Sequence, residues 1–87
     1  MQPLIAIVDD DKSVREALRS LFKSMGFQTA LFARAQDFLE SPDFSETACL
    51  ILDVMMPGMD GLELQGQLAA RRSIPIIFIT GHSDQNT

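Results

Sequence analysis

Four side chains in this 87-residue chain stand where chemistry is possible: Asp9, Asp10, Asp53 and Thr80. Each follows a short apolar run. Leu4 to Val8 precedes Asp9-Asp10, Ala48 to Leu52 precedes Asp53, and Ile74 to Ile79 precedes Thr80. Taken as buried strands, these runs deliver the four groups to one edge. Carboxylates gathered at one edge repel one another unless a cation sits among them. Hard oxygen donors favour Mg²⁺, which accepts one or two carboxylates and keeps several waters. Such an ion would also neutralise an incoming phosphoryl group, and a carboxylate such as Asp53 can act as the nucleophile and form an aspartyl-phosphate. Phosphoryl transfer asks mainly for positioning and electrostatic stabilisation. Thr80 is suitably placed to hydrogen-bond a phosphoryl oxygen. Pro57-Gly58 and Asp60-Gly61 supply a tight turn that would bring backbone close to Asp53.

The segments between these runs have a different period. Val14, Ala17, Leu18, Leu21, Phe22 and Met25 fall at helical spacing, while Lys12, Arg15, Glu16, Arg19 and Lys23 take the other face. Ser13 with Glu16 has capping-box spacing, and Asp11 is an equal candidate for the cap. Gly26 is placed to close this helix in a left-handed turn. Phe27 to Phe32 reads as a second strand. Ala35 to Glu40 reads as a short helix closed by Ser41-Pro42. A third helix covers Leu62 to Arg71 with Leu64 and Leu68 inward, and Gly66 inside it costs about 1 kcal/mol relative to alanine. Ile74 to Thr80 is the fourth strand, with Pro75 tolerable only near its start. Residues 81–87 form a polar tail. Strand and helix alternate throughout, so the expected fold is α/β: one domain, residues 1–87, with a mainly parallel sheet covered by helices on both faces. In such sheets the ligand site lies beyond the carboxyl ends of the strands.

Composition narrows the partners. Twelve acidic against seven basic residues give a net charge of −5, with no basic stripe to neutralise phosphates, so direct nucleic-acid binding is not expected. No apolar run is long enough to span a bilayer, and no basic region precedes one as in a signal peptide. The single cysteine, Cys49, cannot form an internal disulfide and reads as a small buried hydrophobe, which fits a reducing, cytoplasmic compartment. His82 reads as an exposed loop histidine, Asp11 as a cap or surface charge, Met56 and Met59 as loop packing, and Asp60 as a turn residue.

The sequence resembles receiver domains of two-component response regulators, most closely those of the FixJ/LuxR type. The matching residues are Val8-Asp9-Asp10, Ser13-Val14-Arg15-Glu16-Ala17-Leu18, Asp53 with Met55-Met56-Pro57-Gly58-Met59-Asp60-Gly61, and Ile79-Thr80-Gly81-His82. The resemblance implies a flavodoxin- or CheY-like three-layer sheet and a signalling domain rather than an enzyme. It implies that Asp53 accepts phosphate from a sensor histidine kinase, and that Asp10, Asp53 and the Met55 carbonyl bind Mg²⁺ with Asp9 assisting through water. Thr80 would be the switch hydroxyl.

The family pattern has five strands and five helices, whereas this sequence reaches only about four strands and three helices. The expectation is a receiver lacking its last strand, with the phosphate-pairing lysine and switch aromatic that strand carries, and its last two helices. Lys12 and Lys23 lie in the first helix region and cannot replace that lysine. Arg34 stands where related sequences place a serine cap before the second helix. An exposed fourth-strand edge would invite pairing with another chain, so a homodimer or domain-exchanged oligomer is expected. Two alternatives stand beside this: a switching-impaired receiver fragment that self-associates, and a haloacid-dehalogenase-like phosphohydrolase. In the latter, Asp9 of Asp9-Asp10-Asp11 would be the nucleophile and Phe78-Ile79-Thr80-Gly81 the second motif, leaving the loop after Asp53 unexplained.

Overall fold

A continuous apolar run has no polar face to offer water, and Leu4–Val8 accordingly takes an inner place in the sheet as strand β1. The computed structural model describes residues 3–54, 61–71 and 73–79. After β1 come helix α1 (Lys12–Ser24), β2 (Gln28–Phe32), α2 (Ala35–Leu39), a 3₁₀ turn (Pro42–Glu46), β3 (Thr47–Asp53), α3 (Gly61–Arg71) and β4 (Ile76–Ile79). The strands lie in the order β2-β1-β3-β4, every pair parallel. This is the expected α/β architecture. The chain order reverses between β1 and β3, and the crevice of such a sheet opens there.

Two apolar layers sandwich the sheet. Ala6, Val8, Leu50 and Leu52 face α2 and α3, meeting Phe38 and Leu39 from the first and Leu64 and Leu68 from the second. Ile5, Ile7 and Ile51 face the other way, against Leu18 and Phe22 of α1. Phe38 is at the centre of the larger layer, its ring 5.5 Å from that of Phe32 and 5.4 Å from that of Phe44. Cys49 is half-buried against the α1 layer, and burial pushes its thiol up from its ordinary value, as a packing residue requires. Gly66 lies on the exposed side of α3, where a Cβ would meet open space.

Several boundaries differ from the sequence expectation, each for a local reason. β2 begins at Gln28, because the Phe27 N–H turns back to the Phe22 carbonyl at 3.0 Å while the Gln28 N–H reaches Pro3. β4 begins at Ile76: Pro75 has no N–H to give, although its carbonyl accepts from Leu50 at 2.9 Å. Ser41-Pro42 closes α2 and also opens the unexpected 3₁₀ turn, where Ser41 Oγ accepts from the Asp43 N–H and proline occupies the first turn. Asp11 is the cap of α1: its carboxylate accepts from Ser13 and Val14 at 2.8 and 3.4 Å. Gly26 closes α1 at φ +92°, as expected. Arg34 makes no side-chain cap for α2 and instead pairs with Asp37 on the surface.

The apolar face of α1 is covered less than its period suggests. Leu21 and Met25 are 52% and 60% exposed, and no α1 residue is buried. Leu18 and Phe22 form the row that meets the sheet, whereas Leu21 and Met25 sit at its flank. Among the described residues no helix is long and apolar enough to cross a membrane.

Candidate functional site

β1 and β3 lie side by side with Val8 opposite Leu52, so the residue after each strand's apolar run meets the other: Asp9 on one, Asp53 on its neighbour. Asp10 follows in the turn into α1. One carboxylate oxygen from each of Asp9, Asp10 and Asp53 lies within 4.8 Å of the others. Asp9 and Asp53 are buried and Asp10 is exposed, so the cluster opens toward solvent on the Asp10 side.

The turn carrying Asp9 and Asp10 is tied on both sides. The Asp9 N–H donates to the Phe32 carbonyl at 3.1 Å, and Asp9 Oδ1 accepts from the Asp11 N–H at 2.8 Å. Arg15 Nη1 donates to the Asp9 carbonyl at 2.7 Å. On the Asp53 side, the Val54 N–H donates to the Ile79 carbonyl at 3.0 Å, and Asp53 stands in register with Ile79. The carboxyl end of β4 is thereby fixed next to Asp53. Thr80, the residue after it, lies outside the described residues, as do Met55, Met56, Pro57-Gly58, Met59, Asp60 and His82. Of the expected site residues, the structure therefore brings Asp9, Asp10 and Asp53 together.

Arg15 escaped the sequence reading, which placed it on the polar face of α1. A signal was present: α1 has no acidic residue in its first turn, where the helix dipole favours one, and has basic residues there and just beyond. A cation held against the dipole needs a partner, and the Asp9 carbonyl is that partner.

Three carboxylate oxygens so close together form a hard donor set with surplus negative charge, which suits a small divalent cation retaining part of its water shell. The residues fit such an ion.

Comparison with known proteins agrees with this geometry. The family model described as the response regulator receiver domain matches residues 5–87. The chain is similar to the response regulator protein TodT of Pseudomonas putida, at 50% identity over 82 residues, covering 93% of this chain and 36% of TodT. It is also similar to the transcriptional regulatory protein FixJ of Bradyrhizobium diazoefficiens, at 42% identity, covering 92% and 40%. The chain thus spans little more than a third of the length of these curated relatives. The solved response regulator StyR superposes with a TM-score of 0.83 at 49% identity, covering all of this chain and 44% of that one. Another match is to a chain in the solved complex of histidine kinase ThkA with response regulator protein TrrA: TM-score 0.81, 26% identity, covering 99% of this chain and 75% of that chain. Nothing in these matches favours the phosphohydrolase reading with Asp9 as nucleophile. Paired acids at the β1–β3 crevice and a family match running through almost every residue lead to one assignment: this chain belongs to the response regulator receiver domain family.

Proposed function

We propose that the chain is a phosphoryl acceptor, with Asp53 taking the group from a histidine kinase. One observation carries the reading: the Asp9, Asp10 and Asp53 carboxylates converge within 4.8 Å at the carboxyl ends of β1 and β3. An oxygen of Asp53 attacks the phosphorus of a phosphohistidine. The P–N bond breaks, the imidazole takes up a proton as it leaves, and an acyl phosphate forms on Asp53. Asp10, Asp53 and the Met55 carbonyl would hold Mg²⁺, with Asp9 acting through water, and the Thr80 hydroxyl would contact the phosphoryl group. When bound, the ion supplies positive charge among the acids and toward the phosphoryl oxygens. The chain then acts as a stoichiometric acceptor in the cytoplasm, not as a turnover enzyme and not as a direct nucleic-acid binder. The expected result is one phosphoryl mass increment after incubation with acetyl phosphate and Mg²⁺, and none for Asp53→Asn. Equal labelling of the two proteins would remove Asp53 from the role.

A second part of the proposal concerns a second copy of the chain. β4 is at the edge of the described sheet, and its Ile77 and Phe78 are 52% and 41% exposed on opposite faces. An apolar edge of this kind pairs readily with another edge. Light scattering is expected to show a dimer or larger species that Ile77→Lys shifts toward monomer. A wild-type chain that stays monomeric at high concentration would count against this.

A further inference from the structure

We infer that Arg15 is a positioning residue for the divalent-cation site, acting through the backbone on Asp10; this rests on the cation-binding part of the reading above. Asp10 is the exposed member of the acid cluster, and its turn is tied at the residues on either side of it, Asp9 and Asp11. Arg15 grips both flanks. Its main-chain N–H donates to the Asp11 carbonyl at 3.1 Å, and its guanidinium donates to the Asp9 carbonyl at 2.7 Å. The Asp9 carbonyl belongs to the peptide plane linking Asp9 to Asp10. Holding that plane sets the ψ of Asp9 and the φ of Asp10, and hence the direction in which the Asp10 side chain leaves the chain. The short bond involves an ionised donor and is correspondingly strong.

A positive charge beside a cation site repels the cation, so a bare electrostatic role and a positioning role predict opposite signs. If Arg15 were only a nearby charge, removing it would tighten metal binding. As a positioning residue, its removal loosens the Asp9–Asp10 plane and weakens binding. Groups that orient ligands without touching the metal characteristically change affinity by about 10–100-fold when lost.

The test is Mn²⁺ binding to the full chain, read from the electron paramagnetic resonance of free Mn²⁺, for wild type, Asp10→Asn, Arg15→Met and Arg15→Lys. Methionine keeps an unbranched apolar stem against the helix but lacks donor and charge; circular dichroism checks that the fold is retained. Arg15→Met is expected to raise the Kd about tenfold, and Arg15→Lys, which keeps a cationic donor, to recover most of the loss. Without metal, amide exchange at Asp11, whose N–H is held by Asp9 Oδ1 at 2.8 Å, is expected to quicken in Arg15→Met while the rest of α1 is unchanged. Binding by Arg15→Met as tight as wild type or tighter overturns the inference, as does unchanged exchange at Asp11. Failure of the cation-site reading looks different: the wild-type chain takes up no Mn²⁺, or Asp10→Asn binds it equally well, and the inference then falls with that reading.

Discussion

Replacing Phe38 with alanine is expected to remove about 3–5 kcal/mol of folding stability. The whole stability of an 87-residue chain is roughly 4–13 kcal/mol at typical values per residue, so the variant should sit close to its unfolding threshold. Phe38 has no exposed surface, and its ring contacts Phe32 and Phe44 at centroid distances of 5.5 and 5.4 Å. The same ring anchors α2. That helix has five residues and no side-chain cap at its start, so it cannot persist on its own propensity. It stands because Ala35, Phe38 and Leu39 are buried against the sheet. Losing the ring therefore leaves a cavity and also removes the largest of the three buried side chains that hold α2 to the sheet. Urea denaturation measures the effect as a lower midpoint. A loss under about 1 kcal/mol would mean that Phe32 and Phe44 collapse into the space, and that the layer is less rigidly packed than its geometry suggests.

The second large effect comes from metal. Mg²⁺ at a hundredfold excess over its Kd is expected to stabilise the folded chain by about 2.7 kcal/mol, because the unfolded chain has no equivalent site to offer. For a domain of this size that corresponds to a rise in melting temperature of roughly 10–20 °C. The site exists only when β1 pairs with β3, since that pairing brings Asp9, Asp10 and Asp53 within 4.8 Å. Asp10→Asn and Asp53→Asn each remove one charge from the proposed cation site and should lose most of the Mg²⁺-dependent increment, and a chelator should reverse it in wild type. Thermal melts with and without Mg²⁺, at constant ionic strength, measure this. A wild-type melting curve indifferent to Mg²⁺ would show that the three acids coexist without a cation, and the proposed phosphoryl chemistry would lose its charge-neutralising partner.

Much of the fold was legible in one dimension. The runs at Leu4–Val8 and Ala48–Leu52 have no polar face and became inner strands, lengthened at β3 to include Thr47 and Asp53. The helical spacing of Leu64 and Leu68 correctly put both in the core. Gly26 closed α1 because a left-handed residue is needed there. Less legible were features in which one residue serves two neighbours. Ser41-Pro42 carries a stop signal for α2, but the same pair starts the 3₁₀ turn. Leu21 and Met25 share the period of Leu18 and Phe22, yet what covers a helix face depends on what lies opposite, and periodicity holds no record of that.

The site divides in the same way. Residue order alone determined that carboxylates end two buried strands, because apolar runs and the charges that stop them are properties of adjacent residues. Their meeting was decided by tertiary structure. Which strands become neighbours depends on crossovers and layer packing over the whole chain, and only the order β2-β1-β3-β4 sets Asp9 and Asp10 against Asp53. Arg15 shows the same division within a single side chain. Its polar-face position follows from helical period, while its grip on the Asp9 carbonyl requires the particular turn that joins β1 to α1.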